Sequence, residues 1–347
     1  MKNLQYYIVL VMLLLVSCSM DDIRKVSPDR EIEFRVLSTK GSVVDMGKFK
    51  NFTVVALKED GTEYYIDEYE WNGLSYTSSE NKTHMWPTDG SKLFFYAYSQ
   101  YGSQPSGELT LKSGDLDLED FTPALDVTSQ VDFICATAEG NKTVDVVDLA
   151  FEHKLSQIEI KALNSNPCYV CEVAGVRIAQ ALSCATYDFV ADEWDYAGTK
   201  SVYDVYFDSP IVLTDQGVSV MKQAGDNAML IPQTLNPWQL DETNESNGLY
   251  VALLVRIKTV DGAIIYPLLD NPDVPFAGFD WAALPLEGSW DPGVKYTYKW
   301  DIPTVGGFVY PGKPTPEISV MDNFVSGTHI MGEKISILTP VLDDYSL

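Results

Sequence analysis

The sequence has little positive charge. It holds 24 lysines and arginines against 50 aspartates and glutamates, which gives a formal net charge of -26 at pH 7. A surface this acidic repels the phosphate backbone of DNA and RNA, so a nucleic-acid partner is excluded. The same charge favours solubility and suits a solvated surface outside the cell.

Histidine is scarce as well, and His84, His153 and His329 are the three in the chain. None of them stands beside a nucleophile elbow, a zinc-binding helix motif or a phosphate-binding glycine loop. His153 lies in an alternating stretch typical of a strand, where a hydrogen-bonded structural role is expected. The sequence therefore predicts no catalytic residue, no metal site and no cofactor, in a protein that is not an enzyme.

The chain contains five cysteines. Cys168 and Cys171 have the spacing of a redox motif or half a zinc site, but the stretch after them reads as a strand rather than a helix. A zinc site would have only the isolated Cys135 and Cys184 as further ligands. Buried thiols or a structural disulfide are the favoured interpretations, and the sequence leaves the pairing open.

A membrane-spanning run is missing, since the apolar stretch at residues 6–16 is about half of the roughly 20 residues that a spanning helix needs. Lys2 precedes this stretch, and the order of positive charge and then apolar residues is that of a secretory signal. The sequence LVSC, ending at Cys18, resembles a bacterial lipobox. This resemblance implies a signal peptide at residues 1–17 and a lipid, palmitate among its chains, on Cys18. Asp21 and Asp22 resemble an export tag for surface-exposed lipoproteins of the cell outer membrane.

Apolar and polar residues alternate with a period of two in many stretches of the sequence. Such stretches, rich in β-branched and aromatic residues and separated by turn signals such as Asp60-Gly61 and Asp261-Gly262, predict short strands. The predicted strands are IEFRV, NFTVVAL, KLFFYAYS, ELTLKS, VDFICATA, SQIEIKAL, EVAGVRIA, SVYDVYF, YVALLVRIKT, AIIYPLL and VKYTYKWDI. Many short strands in a chain of this length predict an all-β fold with two sandwiches in tandem. The polar stretch AEGNKT predicts the boundary between two domains, the first at residues 18–143 and the second at residues 144–347.

The chain also holds 20 tyrosines and 7 tryptophans, enough to build an exposed platform for sugars. Most of them fall at strand positions, where aromatic residues fill cores and cross-strand pairs. Core packing is the favoured interpretation, and a glycan or host-surface ligand stays as an alternative.

Several stretches together resemble the fimbrillin-like proteins, the subunits of type V pili in Bacteroides-type bacteria. These stretches follow the family order, and they are MWPTDGSKLFFYAYSQ, VDFICATA, LAFEHKLSQIEIKA, NAMLIPQTL, PGVKYTYKWDI and GEKISILTPVLDDY. The last departs from the family pattern, because Tyr345 stands where a tryptophan is usual. The resemblance implies two transthyretin-like Greek-key β-sandwich domains in a structural or adhesive fimbrial subunit that is exported as a lipoprotein.

In the family, a protease removes the first strand and a donor strand from a neighbouring subunit fills the opened groove. In this chain Lys40, next to Gly41, is the candidate processing residue, because Arg35 falls inside the predicted first strand. The candidate donor strand near the C-terminus has apolar residues of one parity, Ile335, Ile337 and Val341. The expected partners are other fimbrial subunits or copies of this chain, with the outer membrane reached through the lipid anchor. The alternative is a non-polymerising surface lipoprotein of the outer membrane that binds a glycan or host ligand.

Overall fold

A computed structural model of the protein describes residues 30–37, 49–101, 106–112, 114–221, 227–238, 248–302 and 315–320. Over these ranges the chain forms 24 strands and one short 3-10 helix, Val127–Ser129, so the all-β prediction is confirmed. The part of the chain that the structure describes contains no helix with the length and apolar character needed to cross a membrane.

In chain order the strands are β1 (Phe34–Leu37), β2 (Asn51–Lys58), β3 (Glu63–Trp71), β4 (Tyr76–Ser78), β5 (Leu93–Tyr101), β6 (Glu108–Lys112), β7 (Asp115–Phe121), β8 (Asp132–Gly140), β9 (Val147–Ala150), β10 (Glu152–His153), β11 (Ser156–Leu163), β12 (Tyr169–Leu182), β13 (Ala185–Asp188), β14 (Glu193–Tyr196), β15 (Lys200–Val212), β16 (Val218–Ser219), β17 (Ala228–Leu230), β18 (Gln233–Leu235), β19 (Tyr250–Thr259), β20 (Ile264–Tyr266), β21 (Asp280–Pro285), β22 (Gly288–Trp290), β23 (Val294–Asp301) and β24 (Thr315–Val320).

The first core lies between a six-stranded sheet and a two-stranded one. The larger sheet has the order β10-β8-β5-β2-β3-β4, and the smaller one is the parallel pair of β1 and β9. Alternate residues of each strand point into this core because successive side chains of a strand face opposite sides. Phe34 and Val36 from β1 thereby pack in one cluster with Phe52 from β2 and Phe95 from β5.

The turn between β2 and β3 shows how the predicted turn signals work. Gly61 has a φ of 76°, in the left-handed region that side chains with a Cβ rarely adopt. The carboxylate of Asp60 accepts a hydrogen bond from the backbone N–H of Thr62 at 3.0 Å, which closes the turn. The Asp60-Gly61 pair therefore brings β2 and β3 together as antiparallel neighbours.

A second core lies in the C-terminal half of the chain, between two five-stranded sheets. One sheet has the order β16-β11-β23-β24 with β17 also on β11, and the other has the order β15-β12-β19-β20 with β21 also on β19. The buried side chains of this core include Ile158, Val176, Leu253, Trp290 and Trp300. The strands β11 and β23 run parallel, as β1 and β9 do in the first half.

A third core joins the two halves of the chain. It packs residues of the outer face of the six-stranded sheet, such as Phe133, against a four-stranded sheet with the order β14-β13-β7-β6. In that sheet β13 pairs with β7, so residues from either side of the predicted boundary share one hydrogen-bonded sheet. The halves are therefore connected by backbone hydrogen bonds as well as by apolar contacts.

The strands near the predicted boundary belong to the first core. Strand β8 runs on to Gly140, and β9, which follows residue 143, buries Val147 and Leu149 in that core. The boundary after residue 143 and the transthyretin-like Greek-key arrangement in tandem stay predictions.

Candidate functional site

The first strand fills a groove that aromatic residues of the six-stranded sheet form. The ring of Phe34 meets the rings of Phe52, Tyr69 and Phe95 edge-on, with centroids 6.2, 4.9 and 5.4 Å away. Val36 is fully buried and Phe34 is 6% exposed. Edge-to-face rings at such distances stabilise one another beyond the area that they bury. Strand β1 is thus an integral part of this core.

The backbone before β1 pairs with a second stretch of chain. The N–H of Ile32 donates to the carbonyl of His84, and the N–H of Trp86 donates to the carbonyl of Arg30, each at 2.8 Å. On the other side β1 forms a parallel ladder with β9 from Phe34 opposite Val147 to Leu37 opposite Ala150. The short first strand is therefore hydrogen-bonded to β9 along one side, and the residues just before it are hydrogen-bonded to the stretch at residues 84–86.

Two ion pairs tie the same segment to β9 and the residues before it. The guanidinium of Arg35 donates two hydrogen bonds to the carboxylate of Asp148, at 2.7 and 2.9 Å, and Arg30 pairs with Asp145. The Arg35 and Asp148 side chains are about half exposed, so this pair fixes the register of the strand more than it stabilises the fold.

A buried carboxylate supports the stretch that pairs with Ile32. Asp67, whose side chain is 3% exposed, lies 2.7 Å from Nε2 of His84, and the His84 ring stacks on Tyr65 with centroids 3.7 Å apart. Burial of Asp67 opposes its ionisation, but hydrogen bonds from His84, Ser78 and the backbone N–H of Glu68 outweigh burial and lower the pKa of Asp67. The ionised carboxylate therefore stabilises the folded state.

We expect Asp67→Asn to destabilise the protein near neutral pH. A carboxyl group with a lowered pKa stabilises the fold above its unfolded-state pKa, and that stabilisation disappears as the pH falls through the folded-state value. The difference between wild type and Asp67→Asn should therefore shrink below about pH 4, measured by urea unfolding at a series of pH values. Glu63→Gln, at an exposed position of the same strand, is the control. A difference that stays constant down to acidic pH would contradict this account.

The site residues predicted from the sequence lie outside the described residues. These are Cys18, Lys40, Ile335, Ile337 and Val341. Their assignments as lipid-attachment, processing and donor-strand residues stay predictions. The sequence did not reveal the partners of the first strand, because Asp148 and His84 are far from it along the chain and carry no recognisable signal.

In the described part of the chain His84 and His153 pair with carboxylates, Cys135 and Cys171 are buried, and Cys168 is exposed, unlike the buried thiol that the sequence favours. Nδ1 of His153 lies 2.6 Å from Asp132, and no cysteine there forms a disulfide. Burial raises the pKa of the Cys135 thiol, and burial with a further contribution from Asp301 raises the pKa of Cys171 to about 11. Both thiols therefore stay protonated at neutral pH, which disfavours thiolate chemistry. No cluster of three or more metal-binding side chains occurs in the described ranges.

Comparison with known proteins gives one family. A family model described as fimbrillin-like matches residues 39–318. A proposed cell adhesion protein from Bacteroides uniformis is 15% identical, with 84% of this chain and 99% of that chain covered and a TM-score of 0.48. One from Parabacteroides distasonis is 9% identical, with 84% and 96% covered and a TM-score of 0.47. The fimbrial anchor protein Mfa2 from Porphyromonas gingivalis is 8% identical, with 84% and 99% covered and a TM-score of 0.42. No curated protein matches the chain.

The family match extends over most of the chain and includes five of the six stretches whose sequence resembles fimbrillin motifs, while GEKISILTPVLDDY at residues 332–345 lies beyond it. The chain belongs to the fimbrillin-like family.

Proposed function

We propose that the protein is a structural or adhesive subunit of a type V pilus that assembles by strand exchange. Family membership supports the general part of this function, a fimbrial or adhesin-type subunit at the cell surface. The family consists of structural proteins rather than enzymes, which agrees with a role that needs no catalytic residue. The strand exchange and the lipid anchor are the specific parts of the proposal.

The observation that carries strand exchange is the placement of β1. Its four residues lie near the start of the described chain, and apart from Ile32 just before it, the remainder of the first core comes from residues 49–151. Loss of β1 would expose the rings of Phe52, Tyr69 and Phe95 and would leave one edge of β9 without a strand. An exposed strand edge beside apolar pockets is a template for an added strand from another chain.

The candidate donor strand has the pattern that such a groove requires. In β1 the buried residues Phe34 and Val36 are two positions apart, as Ile335 and Ile337 are near the C-terminus. Val341 keeps the same parity, and Pro340 before it removes one backbone donor and limits pairing there. A segment of this kind supplies both side chains for the pockets and backbone groups for the edge.

The anchor proposal rests on the sequence at the N-terminus. An acylated Cys18 would hold the precursor at the outer membrane, because two or more lipid chains give stable anchoring where one gives only marginal binding. Cleavage after Lys40 would then separate the folded subunit from its lipid, because Cys18 and β1 both precede the cut.

Trypsin treatment of the purified precursor tests the assembly step. We expect a stable product that begins at Gly41 and forms oligomers, identified by N-terminal sequencing and size-exclusion chromatography. The uncut precursor should stay monomeric, because β1 occupies the groove.

Two variants serve as controls for this experiment. Lys40→Gln should stay uncut and monomeric, whereas Lys50→Gln, at an exposed position just before β2, should behave as wild type. A product cut at Lys40 that stays monomeric at high concentration would refute strand exchange and favour the non-polymerising lipoprotein. Membrane retention of Cys18→Ala equal to that of wild type would refute the lipid anchor.

A further inference from the structure

A cavity of about 510 Å³ lies between the outer face of the six-stranded sheet and the hairpin of β13 and β14. This volume falls within the roughly 300–1,000 Å³ of small-molecule pockets. The outer face contributes Phe94 and Tyr96 from β5 with Thr137 and Glu139 opposite them on β8, and Phe189 after β13 contributes a third ring. The cavity lies on the opposite face of the six-stranded sheet from the groove that holds β1, and the two share Phe95 among their lining residues.

Phe94 and Tyr96 line this cavity because of the alternation along β5. Leu93, Phe95 and Ala97 point into the first core, so the two aromatic residues between them face the opposite side. Both rings are half-buried. The ammonium of Lys92 lies 5.2 Å from the centroid of the Phe94 ring and pairs with Glu139 at 2.6 Å, which positions that ring at one end of the cavity.

The polar groups of the cavity converge on Lys154, a lysine that is 92% buried at 8% residual exposure. Its ammonium lies 2.8 Å from a carboxylate oxygen of Asp192 and 3.3 Å from one of Glu152, and the hydroxyl of Tyr187 donates to Asp192. Burial opposes the charge of Lys154, but the Asp192 carboxylate outweighs it and raises the pKa of the lysine. A charged donor and two half-exposed carboxylate acceptors therefore lie side by side in one cavity.

The charge around the cavity selects against anionic ligands. Glu139, Glu152 and Asp192 surround it on a protein with a net charge of -26. A cationic ligand would have to compete with Lys92 and Lys154, which already pair with these carboxylates. Hydroxyl groups can add hydrogen bonds to the same carboxylates without displacing either lysine, since each carboxylate oxygen accepts more than one.

We propose that this cavity binds a neutral oligosaccharide through a terminal hexose or N-acetylhexosamine. The apolar C–H face of a pyranose ring packs on the rings of Phe94 and Tyr96. Its hydroxyl groups donate to Glu152 and Asp192 and accept from the ammonium of Lys154. Aromatic faces combined with a few charged hydrogen-bonding groups match the two kinds of surface that a sugar presents. The site does not depend on strand exchange. Every residue that forms it lies after Lys40, so the site is present in the chain both before and after cleavage.

The test uses the intact protein, without cleavage at Lys40, on an array of oligosaccharides. The neutral members end in galactose, N-acetylglucosamine, mannose or fucose, and each has sialylated and sulfated counterparts. We expect neutral members to bind and their anionic counterparts to bind more weakly. Isothermal titration with the best neutral oligosaccharide then gives the affinity of each variant.

Two variants of the cavity and one matched control locate the site. Phe94→Ala should lower the affinity about tenfold, and Glu152→Gln, whose side chain is 65% exposed, about threefold. Tyr206→Ala removes an aromatic ring that is 44% exposed on the outer face of the C-terminal half and should bind as wild type. The proposal is wrong if no neutral oligosaccharide binds, if anionic counterparts or a lysine-rich peptide bind better, or if the two cavity variants keep the wild-type affinity. None of these results would alter the proposed fimbrial role, which the trypsin experiment tests separately.

Discussion

Replacing Phe34 with alanine is expected to lower the free energy of unfolding of the intact protein by about 3–5 kcal/mol. The ring is 6% exposed and touches three aromatic rings of the six-stranded sheet. The β1 backbone is held by its ladder with β9, and the residues just before it are hydrogen-bonded to residues 84–86, so it cannot easily shift to close the cavity that the substitution leaves. Urea unfolding followed by circular dichroism measures the effect.

Phe94→Ala is the matched control for Phe34→Ala. Phe94 lies on the outer face of the six-stranded sheet, opposite the face that Phe34 contacts, and is half-buried, so its loss leaves less of a cavity and should cost less stability. Equal effects of the two substitutions would mean that β1 contributes little to the first core. In that case β1 would be a loosely attached segment, and its removal would not create the exposed groove on which strand exchange depends.

The eleven strands that the sequence predicts all occur in the structure. Their signal is a period-two alternation of β-branched and aromatic residues, as in β2 and β15, which local residues alone determine. The turn between β2 and β3 is equally local, since Asp60 and Gly61 supply its hydrogen bond and its left-handed backbone. These features do not depend on distant parts of the chain.

Some of the strands absent from that prediction, β7 and β14 among them, carry acidic residues at their outward positions. Strand β7 has the sequence DLDLEDF, in which Leu116, Leu118 and Phe121 are buried between aspartates and glutamates. Acidic residues are depleted in strands, so the local sequence of such a stretch predicts a loop. Strand β7 is stabilised instead by its antiparallel neighbours β6 and β13, the second of which lies more than sixty residues away.

The candidate site was predictable only in part for the same reason. The sequence identifies the first strand and the alternation of its buried residues. It cannot identify β9 as the partner of that strand or place Lys154 beside Asp192, because these contacts join residues that are distant along the chain. Such pairings depend on the tertiary fold and have no local pattern.

Among the contacts between the two halves of the chain, those of Phe133 should be the most costly to remove, and Phe133→Ala tests this. Phe133 is fully buried in the third core, and its ring contacts Phe121, Tyr187 and Trp194 with centroids 5.4, 5.1 and 5.7 Å away. We expect a loss of about 3–5 kcal/mol, because deletion of a buried ring leaves a cavity. This core joins the two halves, so the substitution should also make them unfold at separate temperatures. Differential scanning calorimetry would then show two transitions in place of one.

Phe207→Ala separates this effect from a general loss of stability. Phe207 is 4% exposed and lies within the core of the C-terminal half, away from the third core. Its substitution should cost a similar amount of free energy but should weaken one half alone, without removing contacts between them. Two transitions in both variants, or already in the wild type, would show that the halves unfold independently. A single transition in Phe133→Ala would mean that the hydrogen bonds between β7 and β13 are enough to keep the halves cooperative.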